Sequence, residues 1–562
     1  MTAALAKRGP DDDRVVEGDY YALGFRRLAI VATEFGRQPV SDPTRDVTLA
    51  FNGEIYNYDA LAEDVLRRRG VPVRSEAEAL LALYLSHGVD FAHSIDGDYA
   101  IIVCEGRTRE CHLFRDPFGV KPLYYAPIAG GRAWAAASEA QAFFHHPDFS
   151  TGWDEIALWE RRVLGFAAFD RTSFEAVRQV PPGARVTLSL AAPPRVMAAP
   201  KDPGAPRDVS LAIDRIADDC AAVLRRAVAR RISHSEYFPV AIALSGGIDS
   251  TIIAGLSGGH PPGRVVAVTI GGAADDEDAA ISARVAASLS LGHAFEKVSA
   301  EFLCARCARI VLACGAQGPA YTAYCLGDAV RRHCEGTRVA LCGEGADELF
   351  FGYSMHLRPQ AYVARAIDAL ASVPAESVEA SPLLSIVARW PSVPPQRVHC
   401  ELNGMLRTHQ LVNRHLIPFD HGMMAHGIEC RVPFLDRQVA EFISAVPEPA
   451  RTARNTSKVL LRVVVSDLLR ASGTGITRLV LDRRPSPFPA AIHEARMGLI
   501  HRITRILSSC SWERSRLGRF ATGLEELFWL GAVETIFLRH RARVDGMAPD
   551  GMEEEILDAV SQ

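Results

Sequence analysis

The sequence predicts two domains of different class: an α+β half of short strands, and after it an α/β half built on a parallel, doubly wound sheet with added helices. Three observations predict this. At 562 residues the chain is too long for one ordinary core. Residues 191–208, rich in alanine and proline, interrupt periodic patterning and read as a linker between domains 1–190 and 209–562. The hydrophobic rhythm also changes across that stretch, from alternating or short apolar runs to helical periods interleaved with apolar strands.

In the first half, Tyr21 to Val31, Val47 to Phe51, Tyr99 to Cys104, Cys111 to Phe114, Trp134 to Ala137 and Arg185 to Leu188 read as strands. Only Tyr58 to Arg69 and Glu76 to His87 carry apolar residues at helical spacing. In the second half Val209 to Arg231 reads as a helix, Val240 to Leu244 and Arg264 to Ile270 as strands, Asp278 to Leu289 as a helix and Val339 to Cys342 as a strand. That alternation is the mark of a parallel sheet, whose ligands sit at the carboxyl ends of the strands. From Tyr353 onward the chain is mostly helical with proline breaks.

Composition narrows the function. Forty-eight per cent hydrophobic and 23% charged residues are ordinary for a globular protein, and a formal charge of -5 argues against nucleic acid as the main partner. No apolar run is long enough to span a bilayer and no signal segment is visible, so the expectation is a cytoplasmic protein of small-molecule chemistry. The 12 cysteines are then expected to be reduced. Cys304 and Cys307, with Cys314 further on, lack a fourth ligand at zinc spacing and fit one amphipathic helix better.

The most informative stretch is the apolar run Val240 to Leu244 leading into Ser245-Gly-Gly-Ile-Asp-Ser-Thr251. Two glycines let backbone N–H groups approach phosphate oxygens, and a helix starting just after them favours the same anion. Ser245, Ser250 and Thr251 add hydroxyl donors, and Asp249 can hold Mg²⁺. No Gly-x4-Gly-Lys-Ser/Thr occurs, so a loop built for γ-phosphoryl transfer is not supported; cleavage between the α and β phosphates, leaving AMP on a substrate, is the better reading. Taken alone, a Gly-Gly turn between strand and helix can be only a turn.

Four segments in order carry a resemblance: Ser245 to Thr251, Leu341-Cys-Gly-Glu-Gly-Ala-Asp-Glu-Leu-Phe350, Met424-Ala-His-Gly-Ile-Glu-Cys-Arg-Val-Pro-Phe-Leu-Asp436, and Ser457-Lys-Val-Leu-Leu-Arg462. Through them the C-terminal half resembles the synthetase domain of the glutamine-dependent asparagine synthetase family. The resemblance implies a PP-loop ATP pyrophosphatase fold in which Ser245, Gly246, Gly247, Ser250 and Thr251 hold pyrophosphate. It also implies that Leu244, Val268, Cys342 and Gly343 line the adenine and ribose, and that Asp249 and Asp347 bind Mg²⁺. Arg8-Gly-Pro-Asp-Asp12, Arg27-Leu-Ala-Ile-Val31, Phe51-Asn-Gly-Glu-Ile-Tyr-Asn57, Arg115-Asp-Pro-Phe-Gly-Val-Lys-Pro-Leu-Tyr124 and Ala137-Ser-Glu139 make the first half similar to the family's glutaminase domain. That implies an Ntn-hydrolase-like αββα sandwich, truncated at its start. Asn52 and Gly53 would form an oxyanion hole, Arg27 and Glu54 would hold the carboxylate and amine of glutamine, and Glu76 stands where the family has an Asp. By itself Asn52-Gly53 also reads as an ordinary hairpin turn.

Glutaminases of this class use an N-terminal Cys whose own amine is the base, whereas this chain opens Met1-Thr-Ala-Ala-Leu5 and has no cysteine before Cys104. The leading expectation is a start placed too late, because that opening resembles an internal piece of relatives; genuine loss, with a vestigial glutamine site, is the alternative. Three departures lie in the synthetase half: Ala313 to Pro319 has no carboxylate, Asp420-His-Gly-Met-Met424 replaces the usual Asp-Arg-x-Ser-Met, and the family lysine falls near Pro485 or Ser486. Arg483, Arg484 or Lys458 could substitute for that lysine. The expected activity is ATP-dependent amide synthesis through an acyl-adenylate, with Glu344 or His421 as base for the nitrogen nucleophile. The substrates are then aspartate or an analogue, with ammonia, glutamine or an amine, and the protein a possible homodimer. A natural-product amide ligase and an inert binding relative remain as alternatives.

Overall fold

The computed structural model describes residues 1–70, 72–198, 213–235, 237–273, 276–314, 320–452, 456–470, 474–482, 519–521, 529–530 and 532–533. The first half opens with an antiparallel ribbon, β1 (Asp12–Glu17) and β2 (Ala22–Arg27). The run expected as a strand to Val31 stops at Arg27, because that guanidinium takes the carbonyls of Val31, Ala32 and Thr33 and curls the chain around itself. Next come β3 (Val40–Asp42), β4 (Val47–Ile55), helices α1 (Tyr58–Arg69) and α2 (Glu76–His87), β5 (Gly97–Glu105) and β6 (Glu110–Arg115). A smaller group follows: β7 (Tyr124–Ile128), β8 (Ala133–Ala137), α3 (Glu155–Leu164), β9 (Arg178–Gln179), β10 (Ala184–Leu188) and β11 (Arg195–Ala198). β11 lies inside the stretch expected to be unpatterned; it is an exposed edge strand held by backbone pairing to β10, a contact that needs no hydrophobic pattern.

The six-stranded sheet, in order β11-β10-β6-β5-β4-β3, is antiparallel throughout and buries both faces. Alternation along β5 explains how. Tyr99, Ile101 and Val103 meet Leu80, Leu83 and Tyr84 of α2, while Ala100 and its neighbours meet Tyr125 and Val180 around the three-stranded sheet β8-β7-β9. The far side of that small sheet, through Tyr124 and Ala126, packs against Leu158 and Trp159 of α3. The layers run helix, sheet, sheet, helix, as the resemblance implies.

In the second half the helix α4 (Ile213–Ser233) leads into β12 (Val240–Ala243), α5 (Ile248–Leu256), β13 (Val265–Gly271), α6 (Glu277–Ser288) and β14 (Gly292–Lys297). The helices α7 (Ala300–Cys314) and α8 (Tyr321–His333), strand β15 (Val339–Leu341), the short α9 (Ala346–Phe350) and strand β16 (Glu429–Arg431) complete the core. α7 runs through Cys304 and Cys307, whose side chains lie outside the described set, as do residues 315–319 and 483–490. All five strands are parallel in the order β14-β13-β12-β15-β16. The chain works outward from β12 to β14, then returns to the other side of β12. This puts a topological switch point between β12 and β15, and a crevice outside their carboxyl ends. Val240, Ala241, Ile242, Val339, Ala340 and Leu341 are fully buried, as a sheet covered on both faces requires.

The halves dock through one continuous hydrophobic cluster and a set of buried ion pairs. Arg8 holds Asp420 at 2.5 Å and Glu139 at 3.2 Å, Lys121 holds Glu429 at 3.0 Å, and Arg431 holds Glu54 at 2.7 Å. No described helix is long and apolar enough to cross a membrane.

Candidate active site

The loop after β12 is shaped by its own hydroxyls. Ser250 Oγ donates to the Gly247 carbonyl at 3.2 Å, accepts the Ser245 N–H at 3.2 Å and lies 3.1 Å from Ser245 Oγ. Gly246 has φ 72° and packs on Ile281, so a side chain there would meet both strain and a neighbour. Gly247 then caps α5, whose first turn carries Asp249. Leu244 is fixed by its N–H to the Val268 carbonyl, 2.9 Å, and by Thr269 Oγ1 donating to its own carbonyl, 2.7 Å. Thr251 Oγ1 is buried with no hydrogen-bond partner among the described residues.

The turn after β15 comes alongside. Cys342 N–H bonds to the Arg431 carbonyl at 3.0 Å, Gly343 packs closely on Asp249, whose Cβ would lie 3.0 Å from an added Cβ, and Gly345 has φ 88° at the start of α9. α9 therefore brings Asp347 to the mouth of the crevice, facing Asp249. Lys458, whose φ is 55°, places Nζ 2.5 Å from Asp249 Oδ2 and 2.6 Å from Asp347 Oδ1. Burial pushes the Asp249 carboxyl up to about 6 against the pull of Lys458, with Asp347 adding to the rise. Both carboxylates and the ammonium thus hold one another.

Asp249 Oδ1 is buried without a partner among the described residues. Two carboxylates aimed at one point, one oxygen orphaned, suit a hard divalent cation such as Mg²⁺, which takes one or two protein carboxylates and completes its shell with waters and phosphate oxygens. Among the described residues no three ligands gather for a metal held by protein alone.

Glu344, in the same turn, belongs to a polar chain that the sequence did not reveal. His415 Nδ1 is 3.1 Å from Glu344 Oε2, its Nε2 is 3.0 Å from the Tyr353 hydroxyl, and that hydroxyl donates to Glu348 Oε1 at 2.6 Å. The i, i+4 spacing of Glu344 and Glu348 was a usable signal; His415, distant in sequence, offered none. Burial pushes the Glu348 carboxyl up to about 7, against the pull of His415.

His421 is not brought to this group. It lies 2% exposed on the helix Ile417–Met424, next to Asp420, which is spent on Arg8, and its ring centroid is 6.1 Å from that of Tyr124 in the first half. Burial carries its imidazole down to about 4, against the opposing pull of Asp420. The helix turns residue 421 to the domain boundary, so the expectation that His421 serves the acyl centre is corrected.

Four of the five residues expected at a glutamine site lie on or against β4. Asn52 and Gly53 sit within β4, opposite Ala100 and Tyr99, and not in a hairpin turn. Gly53 has φ 142° and lies against the Asp98 carbonyl, while Asn52 Nδ2 is a buried donor without a partner among the described residues. Arg27 is committed to its own loop, as described. Glu54 accepts from Arg431 Nη2 at 2.7 Å through Oε2 and pairs with His234 Nδ1 at 2.8 Å through Oε1. Glu76 accepts the Ile55 N–H at 2.7 Å, and burial beside Glu54 holds its carboxyl well above the usual range. Both Glu54 carboxylate oxygens are thus engaged by protein groups.

Comparison with known proteins bears on both halves. Residues 1–193 match the family described as glutamine amidotransferase domain, and residues 219–547 the family described as asparagine synthase. The putative glutamine-hydrolysing asparagine synthetase of Mycobacterium tuberculosis H37Rv is 30% identical over 572 residues, 88% of this chain and 84% of the relative. Glutamine-hydrolysing asparagine synthetase 1 of Bacillus subtilis is 26% identical, over 88% and 83%. Two solved structures share low similarity. Glutamine phosphoribosylpyrophosphate amidotransferase from B. subtilis is 14% identical over 65% of this chain and 75% of its own, TM-score 0.26. The NH3-dependent NAD synthetase from Campylobacter jejuni is 15% identical over 37% and 96%, TM-score 0.21. On its family matches and near full-length relatives, the chain belongs to the asparagine synthase family and is an ATP-dependent carbon–nitrogen ligase of that type.

Proposed function

We propose that this protein activates the carboxylate of a small acid as an acyl-adenylate and converts it to an amide, with aspartate, by the names of its relatives, as the first substrate to test. One observation carries the reading: Asp249, Asp347 and Lys458 converge at the switch point beside a Ser-Gly-Gly loop that ends on a helix N-terminus. The loop amides and the hydroxyls of Ser245, Ser250 and Thr251 hold the leaving pyrophosphate. A magnesium ion between Asp249 and Asp347 would neutralise phosphate charge when bound. Lys458 then sits where negative charge grows as the α–β bridge breaks, and its ammonium is kept protonated by the two aspartates despite burial. Leu244, Val268, Cys342 and Gly343 form the wall for adenine and ribose. Glu344 takes a proton from the nitrogen nucleophile.

The nitrogen source follows from the first half. With Glu54 bound to Arg431 and His234, free ammonia or a substrate amine is favoured over glutamine. The test is incubation with Mg·ATP, aspartate and either ammonium chloride or glutamine, measuring AMP, pyrophosphate and amide together. Equal AMP and amide with ammonia supports the reading; pyrophosphate release independent of any added acid sinks it.

A further inference from the structure

Glu344 rotates freely unless something holds it, and a carboxylate that removes a proton must present one oxygen in a fixed direction. His415 supplies the hold. It sits near the end of Leu406–Leu416, an eleven-residue stretch wound as a π-helix between Pro395–Met405 and the helix from Ile417. Such wide turns are rare and gather at functional sites. Pro418, with no N–H to give the preceding turn, lies just beyond.

Hydrogen-bond direction constrains the group further. With Glu348 ionised, Tyr353 donates to it and the Tyr353 oxygen accepts from His415 Nε2. A proton must therefore also lie between Nδ1 and Glu344 Oε2, since a lone pair on each would repel at 3.1 Å. Oε2 is tied, and Oε1 makes no hydrogen bond to a described protein group.

We propose that His415 is a positioning residue for Glu344, anchoring Oε2 so that Oε1 faces the acyl centre and serves C–N bond formation and not adenylation. This rests on the reading of Glu344 as base. In the step it serves, the nitrogen lone pair forms the C–N bond. The C–O bond to the phosphate breaks with its electron pair leaving on AMP, and one N–H proton passes to Oε1.

The two ring nitrogens allow a clean test. His415→Asn keeps a donor at the Nδ1 position facing Glu344, and His415→Gln keeps one at the Nε2 position facing Tyr353. With Mg·ATP, aspartate and ammonium chloride, the pre-steady-state pyrophosphate burst is read against the rate of amide formation, with Glu344→Gln alongside. Expected is a burst within about twofold of wild type in both His415 variants, amide formation within about threefold in His415→Asn, and a loss of roughly 10- to 100-fold in His415→Gln. An intact burst also reports a folded site. Equal amide rates in the two variants, or a burst that falls in step with amide formation, overturn the inference while a Glu344→Gln defect leaves the base standing. Unimpaired amide formation in Glu344→Gln removes the base, and the inference with it.

Discussion

Arg431→Met should loosen the union of the two halves. Arg431 is fully buried, donates from Nε to Glu429 at 2.7 Å and from Nη2 to Glu54 at 2.7 Å, and caps the Arg231 carbonyl at 2.9 Å. Methionine fills much of the volume, so the cost is mainly electrostatic: two buried carboxylates lose a shared cation. Each keeps a second partner, Lys121 at 3.0 Å for Glu429 and His234 at 2.8 Å for Glu54, so the cost is that of one broken buried pair and not two. That is about 3–5 kcal/mol, a large part of the roughly 5–15 kcal/mol that holds a domain folded. Urea unfolding, followed by tryptophan fluorescence, measures it. Adding Glu54→Gln to the Met variant should recover about 1–3 kcal/mol, because an amide costs less than a charge in the same place. A loss under about 1 kcal/mol for Arg431→Met, or no recovery in the double variant, would refute the claim that charge pairing is what Arg431 contributes.

At the candidate site, Asp249→Asn and Asp347→Asn should each lower acid-dependent pyrophosphate release by at least about 100-fold with little change in unfolding midpoint; near-normal release from either removes it from the metal pair. Gly352→Ala should act on the same chemistry from the side, since a Cβ at 352 would run into Asp347 Oδ1 and the Lys458 side chain; pyrophosphate release should fall by about 10-fold or more, and an unchanged rate would show that the pair tolerates displacement. On pH, His409, His421 and His426 are carried down to about 4 by burial, so the unfolded chain binds more protons and stability falls as pH drops from about 6.5 toward 4. Glu139, pushed up by burial to about 7, acts with the opposite sign between its ordinary value and 7, so the check is a difference: the slope of unfolding free energy against pH should be shallower in His421→Leu than in wild type by up to about 1.4 kcal/mol per pH unit, and identical slopes would contradict a buried neutral ring.

The sequence made some of this legible for physical reasons. α1 and α2 fall at the expected bounds because apolar spacing and a helix period coincide over twelve residues in each. The central strands were readable as unbroken apolar runs, and Asp249 and Asp347 as carboxylates following two such strands. Lys458 was harder. Only the order of motifs pointed to it, since nothing local says that a lysine in the Ser457-Lys458 step reaches two aspartates over a hundred and two hundred residues earlier. The partners of Glu54 were out of reach, Arg431 being 377 residues away and His234 180. His421 was out of reach of local reasoning, since its helix sets it beside Tyr124 at the domain boundary, where Asp420 binds Arg8. β11 was missed because strand pairing at an exposed edge leaves no hydrophobic trace.

β16 ends the parallel sheet, and its three residues are buried under Glu54 and Lys121 of the other half. Cutting the chain at residue 208 to obtain the ligase half alone would therefore uncover a raw sheet border and strand Glu429 and Arg431 in water. Such a fragment is expected to self-associate, so attempts to study amide synthesis on a minimal piece should retain the amidotransferase-like half as its lid, whether or not that half turns over glutamine.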